Sequence, residues 1–257
     1  MRFLAIGDLV SRGGLEMLNT HLANLQEAEH IDFTIVNAEN CSDGMGLNSR
    51  DYNDLKKLNI DVLTMGNHTW AKKDIFSFID NDDAPIIRPA NYSEGVPGKG
   101  YIIKINNGKN ICVINLIGRT DMMVLSNNPF HCFDEIYEKL KSEVDIFIVD
   151  FHAEATAEKI AFKNYVDGRA ACVFGTHTHV QTADEQITAK GTGFITDLGM
   201  TGPKNSVIGM DVDASLKRFV TSLPERYKVA SGECILNGIV FEINEEGKTT
   251  NIYRINL

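Results

Sequence analysis

Short apolar runs rich in β-branched residues alternate along this chain with stretches of helical periodicity, and that alternation restricts the fold to the α/β class. Strands are predicted over 3–6, 33–36, 61–65, 101–105, 111–116, 146–149, 171–174 and 193–196. Between them, Leu15, Leu18, Leu22 and Leu25 share one face of a helix predicted over 15–28, and 134–141 and 154–166 are amphipathic in the same way. Asn107-Gly108 tolerates the positive φ angles of a tight type I′ turn, so an antiparallel pair is expected around it. The tail, with apolar runs at 227–230, 234–243 and 251–255 split by Ser231-Gly232 and Glu245-Glu246-Gly247, reads as a strand meander without helices. The sheet is therefore expected to be mixed. No repeat, low-complexity segment or Pro/Gly/Ser linker divides the chain, which predicts one domain over 1–257.

Composition narrows the function classes. With 25 Lys and Arg against 35 Asp and Glu, the net charge of −10 argues against a surface built to adhere to nucleic acid or anionic membrane. There is no apolar run long enough to cross a bilayer and no signal-peptide pattern after Met1, so no membrane partner is expected and the cytoplasm is the expected location. The five cysteines are odd in number, widely spaced and free of a C-x-x-C pair, which suits a reducing compartment rather than a disulfide framework or a zinc ribbon. Cys112 and Cys172 read as small core residues, and Cys41 and Cys132 as structural rather than ligating.

The chemistry gathers where open α/β sheets place their ligands, at the C-terminal ends of strands. Asp8 follows the first apolar run; alone it would read as a helix N-cap or loop carboxylate. Glu39 and Asn40 follow the second, and Asn67 and His68 follow 62–65. His152 lies just beyond 146–149, where a single histidine is more often hydrogen-bonded structure. Gly175-Thr176-His177-Thr178-His179 sets two imidazoles two residues apart, so an extended backbone would point both the same way. Each element has a bland explanation, but five strand exits supplying carboxylate, amide and imidazole together favour metal binding. Six or seven N/O donors exceed one tetrahedral site and suit two adjacent transition metals sharing a carboxylate, for which Glu39 is the expected bridge. Two divalent cations against Asp8 and Glu39 leave a positive cavity suited to hydroxide and an anionic phosphate ester. His68, next to a ligand but not required as one, is placed to protonate a departing alkoxide.

The order Gly7-Asp8, Glu39-Asn40, Gly66-Asn67-His68, His152 and Gly175-Thr176-His177-Thr178-His179 resembles the calcineurin-like metallophosphoesterase superfamily. Within it, Asn37-Ala38-Glu39-Asn40, Met65-Gly66-Asn67-His68-Thr69-Trp70, Arg88-Pro89-Ala90-Asn91, Asp150-Phe151-His152-Ala153-Glu154-Ala155-Thr156 and Thr196-Asp197-Leu198-Gly199-Met200-Thr201-Gly202-Pro203 look like the bacterial YmdB family of phosphodiesterases. Two departures from the wider superfamily are shared with that branch: Val10 stands where a histidine ligand is usual, and Ala38-Glu39 replaces a Gly-Asp pair, with Asn40 in place of the lost imidazole. The resemblance implies a sandwich of two mixed β-sheets flanked by helices. It assigns Asp8, Glu39, Asn40 and His179 to one metal and Glu39, Asn67, His152 and His177 to the other, with His68 as proton donor. It further implies hydrolysis of cyclic nucleotide phosphodiesters, 2′,3′-cyclic forms included, by a hydroxide held between the metals. The donor set suits Fe, Mn or Zn equally.

Arg88, Asn91, Arg119 and Lys204 lie among turn residues from which they could reach a phosphate or base, or serve as local turn bonds and solvated charges. Trp70 reads first as packing and second as a shelf for a base. Two rival readings are a metal-stabilised regulatory or RNA-interaction protein with incidental hydrolysis, and a metal-dependent amide hydrolase. A homo-oligomer is the base-rate expectation.

Overall fold

A computed structural model describes residues 1–257. The chain begins with β1 (Arg2–Ile6), the two-residue β2 (Asp8–Leu9), α1 (Ser11–Ala28), β3 (Phe33–Asn37), α2 (Ser49–Leu55), β4 (Val62–Thr64) and β5 (Ile86–Ile87). There follow β6 (Tyr101–Asn106), β7 (Lys109–Ile117), α3 (Pro129–Leu140), β8 (Ile146–His152), α4 (Thr156–Val166) and β9 (Cys172–Thr176). The remainder holds β10 (Gln186–Ile187), β11 (Gly193–Ile195), β12 (Met200–Pro203), α5 (Val212–Thr221), β13 (Cys234–Ile235), β14 (Asn237–Ile243) and β15 (Thr249–Asn256).

These strands make two six-stranded sheets, in the orders β15-β14-β1-β3-β4-β5 and β10-β11-β9-β8-β7-β6, and a small third sheet, β13-β12-β2. Both large sheets are mixed. β1, β3, β4 and β5 run parallel beside antiparallel β14 and β15, and β7, β8, β9 and β11 run parallel between antiparallel edges. The period of two along each strand builds the layers. Phe3, Ala5, Phe33 and Ile35 from the first sheet meet Ile111, Val113, Ile146, Ile148 and Phe174 from the second in a buried inter-sheet core. The alternate residues face outward: Leu4, Ile6 and Val36 pack against Leu15, Leu18 and Leu22 of α1. Cys112, Ile114, Phe147 and Val149 likewise pack against Phe133 of α3 and Phe162 of α4. The strands are apolar on both faces because both are covered.

The hairpin between β6 and β7 turns on Asn107 and Gly108, with φ of 49° and 75°, as the Asn-Gly pair requires. Two helices form outside the predicted elements: α2, capped by the Asn48 side chain, and α5, capped by Asp211. The strand expected over 227–230 does not form; only Val229 makes an isolated bridge, to Met210. Its apolar residues close an excursion from the sheets instead of joining one. No helix is long and apolar enough to cross a membrane.

Candidate metal centre

Parallel strands in both sheets end at the same edge of the sandwich, and the polar residues singled out above lie there. Asp8 sits in β2, held by parallel pairing with Met200. Glu39 and Asn40 lie just beyond β3, Asn67 and His68 beyond β4, and His152 is the last residue of β8. His177 and His179 differ from the extended arrangement expected of them. β9 ends at Thr176, and both histidines take positive φ, 101° and 66°, in a curled loop. They converge on the other donors through this curl rather than through strand periodicity. Gly66 leaves the space they meet in: a Cβ there would stand 2.4 Å from His152 Nε2 and 2.5 Å from Glu39 Oε2.

All eight residues form one continuous cluster. Around His152 Nε2 lie Asn67 Oδ1 at 2.8 Å, His177 Nδ1 at 3.1 Å and Glu39 Oε1 at 3.2 Å. At the same Glu39 oxygen, Asn40 Nδ2 stands 3.2 Å from Oε1 and 3.1 Å from His179 Nε2, which is itself 3.8 Å from Asp8 Oδ1. His68 donates its backbone N–H to Glu39 Oε2 (2.9 Å) and sets Nδ1 2.6 Å from Asn40 Oδ1. Asp8, Glu39, Asn40 and His152 are buried, while His68 is 31% exposed at its side chain and so faces the open side.

A layer of partners fixes the imidazoles, and sequence reasoning missed most of it. Thr176 Oγ1 donates to Asp150 Oδ1 (2.7 Å), so it accepts from His152 Nδ1 (2.9 Å) and leaves the Nε2 lone pair facing the cluster. His179 Nδ1 donates to Ile208 O (2.8 Å), and His177 Nε2 faces Glu154 Oε2 at 3.2 Å, which turn their other nitrogens inward. Lys159, on the apolar face of α4, is buried. It donates to Asp197 Oδ2 (2.8 Å) and Thr176 O (2.9 Å), while Asp197 accepts from Thr178 N (3.1 Å) and Gly199 N (2.9 Å). The hydroxyls of Tyr92 (2.9 Å) and Thr69 (2.6 Å) both donate to Gly66 O and hold the Asn67-His68 turn. A polar residue inside an apolar period, as Lys159 is in α4, was the one signal available.

This chemistry fits bound cations. Asp8 Oδ1 is fully buried and has no hydrogen-bond partner, a costly arrangement for a carboxylate unless a positive charge faces it. Glu39, His152 and His177 each offer a donor atom within 4.8 Å of the others. In the metal-free protein burial pushes the Asp8 carboxyl up to about 6 against the pull of His179 and His152. Burial also works to raise Glu39, but His152 and His68 outweigh it and hold the carboxyl well below the usual range. For His152, burial opposes protonation, yet Glu39 with Asp8 and Asp150 carries it up to about 9; burial drives His177 down to about 3. A proton thus stands in among groups that all present lone pairs.

The loop residues read either as substrate contacts or as local turn bonds and surface charges take local partners. The Arg88 guanidinium donates to the carbonyls of Pro89 (2.8 Å) and Pro97 (3.3 Å), and buried Asn91 ties Ile117 to Asn127 through three backbone bonds. Both are turn-holding residues. Lys204 pairs with Glu233 at the surface, and at Arg119 the backbone N–H binds Glu158. Trp70 stacks on Phe76 (5.4 Å between ring centroids) and packs against the outer core of the first sheet, as its packing reading holds.

Two mixed sheets packed face to face, helices outside and a donor cluster at the C-terminal strand edge define the calcineurin-like metallophosphoesterase fold. The 5′-nucleotidase precursor of Thermus thermophilus shares it with a TM-score of 0.57 at 10% identity, spanning all of this chain and 54% of the other. The model of the family described as YmdB-like protein matches residues 4–255, and the chain belongs to that family. It is 48% identical over 249 residues to the 2′,3′-cyclic-nucleotide 2′-phosphodiesterase of Bacillus subtilis strain 168, covering 96% of this chain and 93% of the relative. The crystal structure of a novel phosphatase from Mycoplasma pneumoniae matches with a TM-score of 0.94 at 36% identity, over all of this chain and 93% of that one.

Proposed function

We propose that this site hydrolyses cyclic nucleotide phosphodiesters, 2′,3′-cyclic forms among them, with two transition-metal ions and with His68 as the proton donor. Family membership makes the chain a phosphoric diester hydrolase; the ions, the substrate and the roles of individual residues are the proposal. The observation that carries it is the fully buried, orphaned Asp8 oxygen within a cluster of carboxylate, amide and imidazole groups gathered on Glu39. The proposed sets are Asn67, His152 and His177 with Glu39 for one ion, and Asp8, Asn40 and His179 with Glu39 for the other. Fe, Mn or Zn ions held there would supply an activated water and polarise a phosphoryl oxygen.

The chain's own groups do the rest. Glu39, through both oxygens, ties the two donor sets and the His68 turn together. Asn40 also orients the proton donor: its Oδ1 lies 2.6 Å from His68 Nδ1 and accepts from it, so protonated His68 presents its Nε2–H at the open side. There the proton can pass to a departing alkoxide. Burial lowers the proton affinity of His68, with Glu39 opposing, which favours release of that proton.

Replacing His68 with Ala should slow cleavage of diesters with poor alkoxide leaving groups by about 10²–10⁴-fold, the usual worth of general acid catalysis. Nitrophenyl esters, whose leaving group needs no proton, should be affected far less, with metal content unchanged. An equal fall for both classes would remove His68 from the acid role. We place the protein in the cytoplasm, where its five unpaired cysteines remain reduced; an RNA-derived partner or substrate and a homo-oligomer are compatible extensions of the same reading.

A further inference from the structure

Between β12 and β13 the chain leaves the sheets for an excursion over 204–233, closed at its base by Lys204 N donating to Glu233 O at 2.9 Å. Higher up, Asp211 N donates to Lys228 O (2.9 Å) and Ala230 N to Gly209 O (3.0 Å), so the excursion is held together by its own backbone. Helix α5 rides on it with Ser215 as its only buried residue. Beside the helix lies a cleft of about 220 Å³ lined by Val207, Ile208, Met210, Phe219 and Tyr227.

Both walls of this cleft are tied to the metal centre. Ile208 O accepts from His179 Nδ1 at 2.8 Å, so that wall stands one imidazole away from the Asp8 and Asn40 donors. The Tyr227 hydroxyl donates to Gly44 O (3.1 Å), on the loop that carries Glu39 and Asn40, which fixes the opposite ring. We infer that this cleft is the subsite for the nucleobase of the substrate, with Phe219 and Tyr227 as its aromatic walls; the inference rests on the nucleotide reading above.

Size, chemistry and charge agree on that occupant. The volume falls below the roughly 300–1,000 Å³ of clefts that enclose a drug-sized ligand, so it takes one heterocycle rather than a longer chain. Aromatic rings stack on any base, and Arg218 and Arg226 at the edge offer donors to ring nitrogen and carbonyl acceptors. Glu225, the acidic member of that edge, is engaged by Lys217. A net charge of −10 disfavours extended nucleic acid over a single nucleotide.

The test compares wild type, Phe219→Ala and Phe219→Tyr. Phe219 is 76% exposed, so its truncation does not threaten the fold. The ratio of kcat/KM for a 2′,3′-cyclic nucleotide to that for bis-nitrophenyl phosphate, which has no base, should fall about tenfold in Phe219→Ala, the scale of one lost base stack. It should recover in Phe219→Tyr. Calorimetry with adenosine, which lacks a phosphate, reads the cleft without turnover and should show binding that Phe219→Ala loses. An unchanged ratio with no adenosine binding overturns the subsite and leaves the phosphodiesterase reading standing. If wild type cleaves neither diester but binds adenosine through Phe219, the subsite is supported and the phosphodiesterase reading falls. If sedimentation instead shows Phe219→Ala splitting an oligomer while the ratio holds, the cleft is occupied by a second copy and the inference is overturned.

Discussion

A single hydrogen atom on Gly66 makes the donor cluster possible. Any Cβ at this position would press on the ring of His152 at 2.4 Å and on Glu39 at 2.5 Å, and the backbone is itself fixed by Tyr92 and Thr69 on its carbonyl. Gly66→Ala is therefore expected to cost about 1–3 kcal/mol through overpacking and to lower metal content and turnover together. Normal metal content measured on the purified variant would show that the strand exit yields more than its packing allows. The residues that gather at the strand edge were legible in the sequence because Asp8, Glu39, Asn67, His152 and His177 each follow or end an apolar run, and several such strand exits together say more than any one of them. Their supporting partners were not. Thr176 and Tyr92 have polar groups of the kind any strand end or turn carries, and only their bonds to Asp150, His152 and Gly66 give them a role.

Among the elements, the buried Lys159–Asp197 pair joins α4 to the segment after β11, and both partners also bond the end of β9 and the loop after it. The pair spans 38 residues of sequence, and its one local sign is that Lys159 falls at helical spacing with Phe162 and Val166 on the buried face of α4. Lys159→Met is expected to destabilise the protein by about 3–5 kcal/mol, because Asp197 is left as an uncompensated buried charge. Denaturant unfolding measures it. Adding Asp197→Leu should not restore stability, since Asp197 also accepts from Thr178 N and Gly199 N; a double variant as stable as wild type would show the pair to be dispensable. Helix α5 carries a readable pattern, with Val212, Leu216, Phe219 and Val220 at helical spacing after the capping Asp211, but only Ser215 is buried and the helix borders a cleft rather than the core. The main strands were legible because both faces are covered, which forces continuous β-branched runs.

For the whole molecule, we propose that 1–257 unfolds as one cooperative unit whose stability is linked to metal and pH. The sign follows from the groups at the centre. Asp8 is raised from 3.8 to about 6, so the stability its protonation contributes to the metal-free protein is lost as pH rises through about 6. His152, raised from 6.5 to about 9, contributes stability present below 6.5 and lost as pH rises through about 9. Glu39, held low, acts oppositely: its contribution is present above about 4.5 and declines as pH falls below that value. Cations compete with the first two protons, so the thermal stabilisation on adding metal should grow from mildly acid to mildly alkaline pH within a single transition. A constant or shrinking stabilisation would mean that these protons do not occupy the metal positions.

The central claim is that two metal ions held by Asp8, Glu39, Asn40, Asn67, His152, His177 and His179 equip this fold to cleave a cyclic phosphodiester. Its most direct test is to quantify metal in the purified protein and assay that same sample on a 2′,3′-cyclic nucleotide before chelation, after chelation and after metal return. About two transition-metal ions per chain are expected, with cleavage lost on their removal and recovered on their return. Cleavage that survives complete removal of metal, or a fully loaded protein that leaves the cyclic nucleotide intact, would contradict that claim.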